Sequence, residues 1–151
     1  RAYVRHEIIP KAKKRNVHLL DTLCRTMNLI ADEDDYLDSL ARQTGEEYLE
    51  WIGLHEDGSR DGCLFKPEFG KVALPLQRRV VRAALGVFAG QDVRTASAHI
   101  EALLSAFNEE GSPIRGYVVN IQGNLAVSAN KRGVLLEPMT VFRARRKPNK
   151  A

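Results

Sequence analysis

The stretch YVVNIQGNLAVSANKRGVLLEP, residues 117–138, decides the fold class of this chain. Three short runs within it, YVVNI, LAVSA and VLLEP, are rich in residues that favour β-strands. The connections QGN and NKRG supply the asparagine and glycine residues that tight hairpins use. The stretch therefore predicts a short antiparallel sheet.

Two helices are predicted directly before this sheet. In PLQRRVVRAALGVF, residues 75–88, the apolar side chains recur on one helical face, Pro75 suits the first turn, and Gly90 suits the end. A second helix is predicted at about residues 96–108, and we expect both helices to cover the sheet. The expected buried face of the second helix consists of Ile100, Leu103, Leu104 and Phe107.

A long helix is predicted in the first half of the chain. Between residues 17 and 52, apolar residues recur at alternating steps of three and four, which is typical of a helix that packs against another helix. Asp34 and Thr44 interrupt this apolar seam, Asn16 can cap its start, and Gly53 can end it. The seam residues are Leu20, Leu23, Met27, Ile30, Leu37, Ala41, Tyr48 and Trp51.

These patterns together predict an α+β, mainly helical protein, with a long helical arm followed by a small domain of two helices and a short antiparallel sheet. Near the start, VRHEIIPKAKK predicts a short helical piece that Pro10 bends or restarts. The glycines and aspartates of HEDGSRDG indicate a loop between the two halves. The expected divisions are a helical arm or linker at residues 1–54, a connecting loop at 55–70, a second domain at 71–138 and a basic tail or linker at 139–151.

Composition points to a globular chain without a membrane partner. Of the 151 residues, 44% are apolar, which is enough to bury a core. No segment is long and apolar enough to span a membrane, and none has the pattern of a signal peptide, so we expect a cytoplasmic protein. Cys24 and Cys63 should then be reduced thiols. Because the first residue is arginine rather than methionine, we also expect a piece of a longer chain.

Charge is distributed unevenly along the chain, whose formal net charge is +4. Residues 1–16 hold six basic residues and one acid, whereas residues 31–61 hold eleven acids and two arginines. No acid follows Glu137. Such separation suits a protein that binds a polyanion through a basic surface, although ordinary solvated surface is the simpler interpretation of charge alone.

The sequence contains no recognisable catalytic constellation or metal site. Its four histidines are scattered, and none is spaced from a cysteine or carboxylate as metal ligands are. The acidic run ADEDDYLD, residues 31–38, is interpreted as a solvated helix face, since consecutive acids on a helix point in different directions. We therefore expect no catalytic residue and no metal ligand in this chain.

Three arginines in LPLQRRVVRAAL, residues 74–85, are the main candidates for binding. On a helix, Arg78 and Arg82 stand one turn apart and Arg79 lies about 100° from Arg78, so all three are expected on the face opposite the apolar one. Guanidinium groups bind phosphate oxygens in pairs. The pattern indicates phosphate contacts, which by themselves would be non-specific and salt-sensitive.

Several motifs resemble those of bacterial tRNA(Ile)-lysidine synthetases. RAYVRHEIIP at residues 1–10, followed by NVHLLDTLCRTMNLIADEDDYLDSLA at residues 16–41, is similar to the region just after the catalytic domain of that family. LPLQRRVVRAAL, then HIEALL and RGVLLEP, looks like the family's substrate-binding domain, which would lie at residues 71–138. The resemblance spans about residues 1–138. One departure is Ala2, where the family usually has asparagine.

The resemblance implies that the parent chain is an ATP-dependent ligase. Enzymes of that family adenylate C2 of the wobble cytidine in the tRNA(Ile) with a CAU anticodon, and lysine then displaces AMP to give lysidine. The SGGxDS-type loop that supports this chemistry is absent from the sequence, so we expect this chain alone to be inactive. ATP and magnesium would be bound by the enzyme's own N-terminal catalytic domain. The present chain would bind no cofactor, and its partners would be that domain and the tRNA.

The resemblance also implies roles for particular basic residues. Arg1 and Arg5 match two motif arginines at the junction with the catalytic domain, so we expect them near the reaction. The candidate tRNA contacts are Arg78, Arg79, Arg82, Lys11, Lys13, Lys14 and Arg15.

Two other functions fit the sequence. The chain could be a stand-alone helical nucleic-acid-binding regulatory module without enzyme activity, or a protein-interaction scaffold whose acidic segment docks a partner. The apolar seam of the long helix could also pair two copies in a homodimer.

Overall fold

The computed structural model describes residues 1–89 and 97–146 of the chain. The chain forms two compact units, Arg1–Ser39 and Leu40–Ala151, which we call the N-terminal unit and the C-terminal unit. The predicted fold class is confirmed, because the protein is mainly helical and also contains a small antiparallel sheet. No helix in the described ranges combines the length and the apolar character needed to cross a bilayer.

Helical segments make up the N-terminal unit. A π-helical turn at Val4–Ile8 leads into α1 (Ile9–Arg15), and Pro10 lies in the first turn of α1. In the following turn, Asn16 Oδ1 accepts a hydrogen bond from the His18 N–H (3.0 Å). The long helix α2 (Leu19–Tyr48) begins after this turn, so Asn16 orders the approach to the helix rather than capping it directly.

The apolar seam predicted for α2 is not packed in its first half. Its first four seam residues are 39% to 67% exposed, and no residue of α2 is fully buried. The predicted helix–helix contact is therefore not made at these positions within the described residues. Nearer the end of the helix, Ala41 and Tyr48 do pack against the core of the C-terminal unit. The four exposed seam residues are Leu20, Leu23, Met27 and Ile30.

The long helix also ends earlier than predicted, at Tyr48 rather than at Gly53. The next residues form strand β1 (Leu49–Ile52), and Trp51 packs against Phe88 with the ring centroids 6.0 Å apart. Trp51 continues the three-residue step of the seam, so spacing alone could not distinguish a helical position from an inward-facing strand position.

The segment 55–70, expected to be a connecting loop, contains regular structure. Strand β2 (Gly62–Phe65) pairs with β1, and a 3-10 helix follows at Pro67–Lys71. All four residues of β2 are buried, which is typical of an interior strand covered on both faces. A four-residue apolar strand beside a glycine-rich loop gives too short a pattern to be recognised from sequence.

The sheet formed by the described residues has five strands in the order β1-β2-β5-β4-β3, with neighbouring strands antiparallel. The three predicted strands are confirmed as β3 (Val118–Ile121), β4 (Leu125–Asn130) and β5 (Gly133–Pro138). Both predicted hairpins are confirmed as well, since β3 pairs with β4 and β4 pairs with β5. The unpredicted strands β1 and β2 extend the sheet beyond β5.

One face of the sheet forms the core with two helices, α3 (Leu74–Ala89) and α4 (Ser97–Leu104). Val127 and Leu136 lie opposite each other in the sheet and share this face, because side chains alternate between the faces of a strand. Cys63 lies in the same core, and burial raises the pKa of its thiol to about 12. Cys24 is exposed, and both cysteines are free thiols.

The other face of the sheet carries α5 (Met139–Arg146). Its Met139 and Phe142 pack with Ala126, which alternates with the core residue Val127 along β4. Most of the segment expected to be a basic tail or linker is therefore a packed helix, and the rest of it, residues 147–151, lies outside the described residues.

Two predicted helix limits, Gly90 and residue 96, also lie outside the described residues. α4 ends at Leu104, earlier than the predicted limit at residue 108.

Candidate nucleic-acid interface

The exposed side of α3 presents two of the three predicted arginines to solvent. Val81 and Leu85 bury the opposite side of the helix in the core, and this fixes which side faces outward. Arg78 and Arg82 are exposed and stand one turn apart. Arg79 is partly buried, so of the three arginines expected on the face opposite the apolar one, Arg78 and Arg82 are the exposed ones.

A buried amide fixes the start of α3. Gln77 is 8% exposed, and its Nε2 donates a hydrogen bond of 2.9 Å to the carbonyl of Phe69 in the 3-10 helix. Phe69 is itself fully buried against Phe65 and Phe107. Because Gln77 directly precedes Arg78, this bond holds the backbone from which the arginine side chain extends. No motif or spacing in the sequence indicated this role.

Arg78 is joined to α4 by an ion pair that sequence analysis missed. Its Nε lies 2.8 Å from Oε1 of Glu101, and the two side chains are 48% and 50% exposed. The partners are far apart in sequence, so no helical spacing could reveal the pair. A carboxylate therefore lies beside one of the two exposed arginines of α3. We call the surface formed by Arg78, Arg82 and Glu101 the α3 patch.

The remaining candidates lie in the N-terminal unit. Lys11 Nζ pairs with Glu7 Oε2 at 2.9 Å, one turn earlier in the chain. The other basic residues of α1 occupy its last turn, where the helix dipole favours positive charge. The N–H of Arg5 donates to the carbonyl of Arg1 (3.2 Å), which places these two arginines on successive turns. The exposed basic residues of this group are Arg1, Arg5, Lys11, Lys13, Lys14 and Arg15.

A third basic element, α5, was not a candidate. Arg145 contacts both the buried carboxylate of Glu137 and the Ser128 hydroxyl, the latter at 3.4 Å. Glu137 is only 2% exposed, so Arg145 neutralises a charge inside the protein. Arg146 lies over the ring of Phe142, 4.9 Å from its centroid, and Arg143 is exposed. Only part of the positive charge of α5 is therefore available to a partner.

An exposed imidazole–carboxylate pair closes the loop between β1 and β2. His55 Nε2 lies 2.8 Å from Asp61 Oδ1, and this hydrogen bond, together with the negative charge, raises the pKa of His55. Gly53 makes room for the carboxylate, since a Cβ there would lie 2.2 Å from Asp61 Oδ2. The pair is thus part of the loop structure. In residues 1–89 and 97–146, no group of three or more His, Cys, Asp and Glu side chains is arranged to hold a metal ion.

The α3 patch can bind an anion, since its arginines extend from a helix whose other side is buried. Such an arrangement limits the loss of backbone entropy when the arginines are ordered by a ligand. No protein-family model matches this chain.

Proposed function

We propose that this chain is the tRNA-recognition portion of a cytoplasmic tRNA(Ile)-lysidine synthetase, the ligase that converts the wobble cytidine of the CAU anticodon to lysidine with ATP and lysine. The activation chemistry belongs to the enzyme's own N-terminal catalytic domain, with its ATP and magnesium. The chain itself holds the tRNA and is inactive alone. The order of its motifs, from RAYVRHEIIP to RGVLLEP, supports this assignment.

The observation that carries the proposal is the position of Arg78 and Arg82 on α3. Their Cβ atoms stand about 5–6 Å apart, as for any residues one helical turn apart. Their heads are exposed while the opposite side of α3 is buried. Two guanidinium groups so placed can bind neighbouring phosphates of one RNA strand, each through paired N–H donors. Contacts of this kind position an RNA without reading its bases.

The N-terminal unit is proposed to meet the catalytic domain. Arg1 and Arg5 match the motif arginines at that junction, and their exposure leaves them accessible to a domain, a nucleotide or the flipped cytidine. The exposed basic residues of α1 add positive charge to the same unit, which favours a path for RNA close to the junction. Sequence discrimination then depends on contacts beyond the α3 patch.

The test is binding of this chain to the tRNA(Ile) with a CAU anticodon over a range of salt concentrations, with methionine tRNA as competitor. We expect affinity to fall steeply with salt, and Arg82→Ala to reduce the slope of log K against log salt by about one. Arg78→Ala should reduce the slope by less than one, because the Glu101 carboxylate already compensates part of the charge of Arg78. Arg132→Ala, at the exposed turn between β4 and β5, is the charge-matched control and should have a smaller effect. Salt-independent binding, or equal losses in all three variants, would contradict the proposal.

Competition with the methionine tRNA distinguishes the proposed function from the alternative of a stand-alone nucleic-acid-binding module. A preference for the isoleucine tRNA over the methionine tRNA supports a recognition portion of the synthetase. Equal affinity for both, combined with a steep salt dependence, would instead indicate a general nucleic-acid-binding module.

A further inference from the structure

The guanidinium of Arg78 contacts a carboxylate of the same chain, that of Glu101, which is an anionic oxygen ligand as a phosphate is. The Glu101 carboxylate oxygen lies 2.8 Å from Arg78 Nε, so the guanidinium already holds an anionic oxygen when no RNA is bound. Both groups belong to the C-terminal unit, and Glu101 extends from α4. A phosphate that approaches Arg78 therefore meets a negative charge beside it, whereas Arg82 is exposed on the next turn.

This ion pair is open to exchange. About half of each side chain is exposed, 48% for Arg78 and 50% for Glu101, so water and solutes reach both partners. Exposed ion pairs of this kind change an equilibrium constant by about fivefold at most. A phosphate that also contacts Arg82 gains a second charge-assisted interaction, which the carboxylate cannot match. Rearrangement of the surface side chains is therefore sufficient for phosphate to replace carboxylate.

We infer that Glu101 competes with RNA phosphate for Arg78. The Glu101 carboxylate holds Arg78 in the free protein, and it must be displaced when RNA binds. This inference rests on the proposed function of the α3 patch. The carboxylate lowers affinity for any polyanion that engages Arg78, and it lowers the salt dependence of binding because the charge of Arg78 is already partly compensated. Repulsive elements of this kind are a common means of limiting unwanted binding.

The test compares Glu101→Gln with Glu109→Gln, which removes an equal charge from the exposed turn after α4. In the salt series with the tRNA(Ile), Glu101→Gln should raise affinity about three- to fivefold and steepen the salt slope by up to about one. Glu109→Gln should raise affinity less than about twofold, as a general charge effect. Glu101→Ala is a second variant, which removes hydrogen bonding as well as charge and should give the same direction of change.

A double-mutant cycle decides whether the effect passes through Arg78. In an Arg78→Ala background, Glu101→Gln should raise tRNA affinity no more than Glu109→Gln does, because the guanidinium for which Glu101 and phosphate compete is absent. Equal gains from the two Gln variants in the wild-type background, or a full gain in the Arg78→Ala background, would overturn the inference while leaving the proposed function intact. Absence of salt-dependent tRNA binding by both wild type and Glu101→Gln would overturn both. Thermal unfolding of each variant checks that the fold is retained.

Discussion

Gly133, the first residue of β5 after the turn from β4, has a backbone conformation that other residues rarely adopt, with φ of +137°. A Cβ at this position would lie 2.1 Å from the carbonyl oxygen of Phe65 on the neighbouring strand β2. Gly133→Ala should therefore lower the free energy of unfolding by about 2–3 kcal/mol, through backbone strain and the steric clash. Urea denaturation measures this change.

The control for this substitution is Gly86→Ala in α3. A Cβ at Gly86 would meet no other atom within 4 Å, and the residue lies inside the helix on its exposed side. Alanine should stabilise the helix by about 0.5–1 kcal/mol, because glycine loses more backbone entropy on folding. Similar changes in both variants would contradict the assigned role of Gly133.

The raised pKa of His55 predicts that the stability of the loop between β1 and β2 depends on pH. The hydrogen bond to Asp61 is the main cause of its raised pKa, followed by the negative charges of Asp61 and Asp57. A raised folded-state pKa means that the pair stabilises the loop below the unfolded pKa of about 6.5, and that this contribution is lost as pH rises through the folded value. An NMR titration should give a midpoint above about 6.5 for His55.

Asp61→Asn is the matching variant, since it keeps the size of the side chain and removes the charge. The midpoint of His55 should then move down toward the ordinary histidine value. An unchanged midpoint would show that another group sets the pKa of His55.

At the scale of elements, α5 is held on the sheet by one buried carboxylate. Arg145→Ala would leave Glu137 buried without its cationic partner and should lower the free energy of unfolding. Because the Arg145 side chain is 46% exposed, we expect about 2 kcal/mol, below the range for fully buried pairs. Chemical denaturation measures the loss.

Arg143→Ala is the control on the same helix, because Arg143 is exposed and carries the same charge. It should change stability by no more than about 0.5 kcal/mol, as is usual for surface substitutions. Equal losses in the two variants would mean that helix charge, rather than the contact with Glu137, holds α5 in place.

Element limits were predicted well for α3 and for strands β3, β4 and β5, whose patterns are self-contained. The apolar face of α3 and the turn residues around β4 identified those elements, since the residues that define them are close in sequence. Strand β1 was missed because its partner β2 lies beyond a loop, and a strand of four residues has too few alternations to be distinguished from the end of a helix. Packing of Trp51 against Phe88 decided between the two.

At the scale of the whole molecule, the two compact units should differ in stability. The buried residues lie in the C-terminal unit, whereas α1 and the part of α2 in the N-terminal unit bury no side chain fully. In hydrogen exchange, amides of β4 and β5 should be protected by the global free energy of unfolding. Amides of residues 1–39 should exchange with much lower protection, because the helices of this unit bury no side chain fully. Uniform protection along the chain would contradict this difference.

The α+β class, the long helix, the β3–β4–β5 meander and the exposure of Arg78 and Arg82 could all be predicted from the order of the amino acids. Each of these depends on local periodicity or on turn residues, which are properties of neighbouring positions. The folded chain was needed to show that β1 and β2 join the sheet, that Glu101 pairs with Arg78, and that Arg145 neutralises Glu137. The strand pairing and the Arg78–Glu101 contact join residues that are far apart in the chain, and the Arg145–Glu137 contact depends on how α5 packs on the sheet. No periodic spacing along the sequence reveals them, because they follow from how the helices and strands pack together.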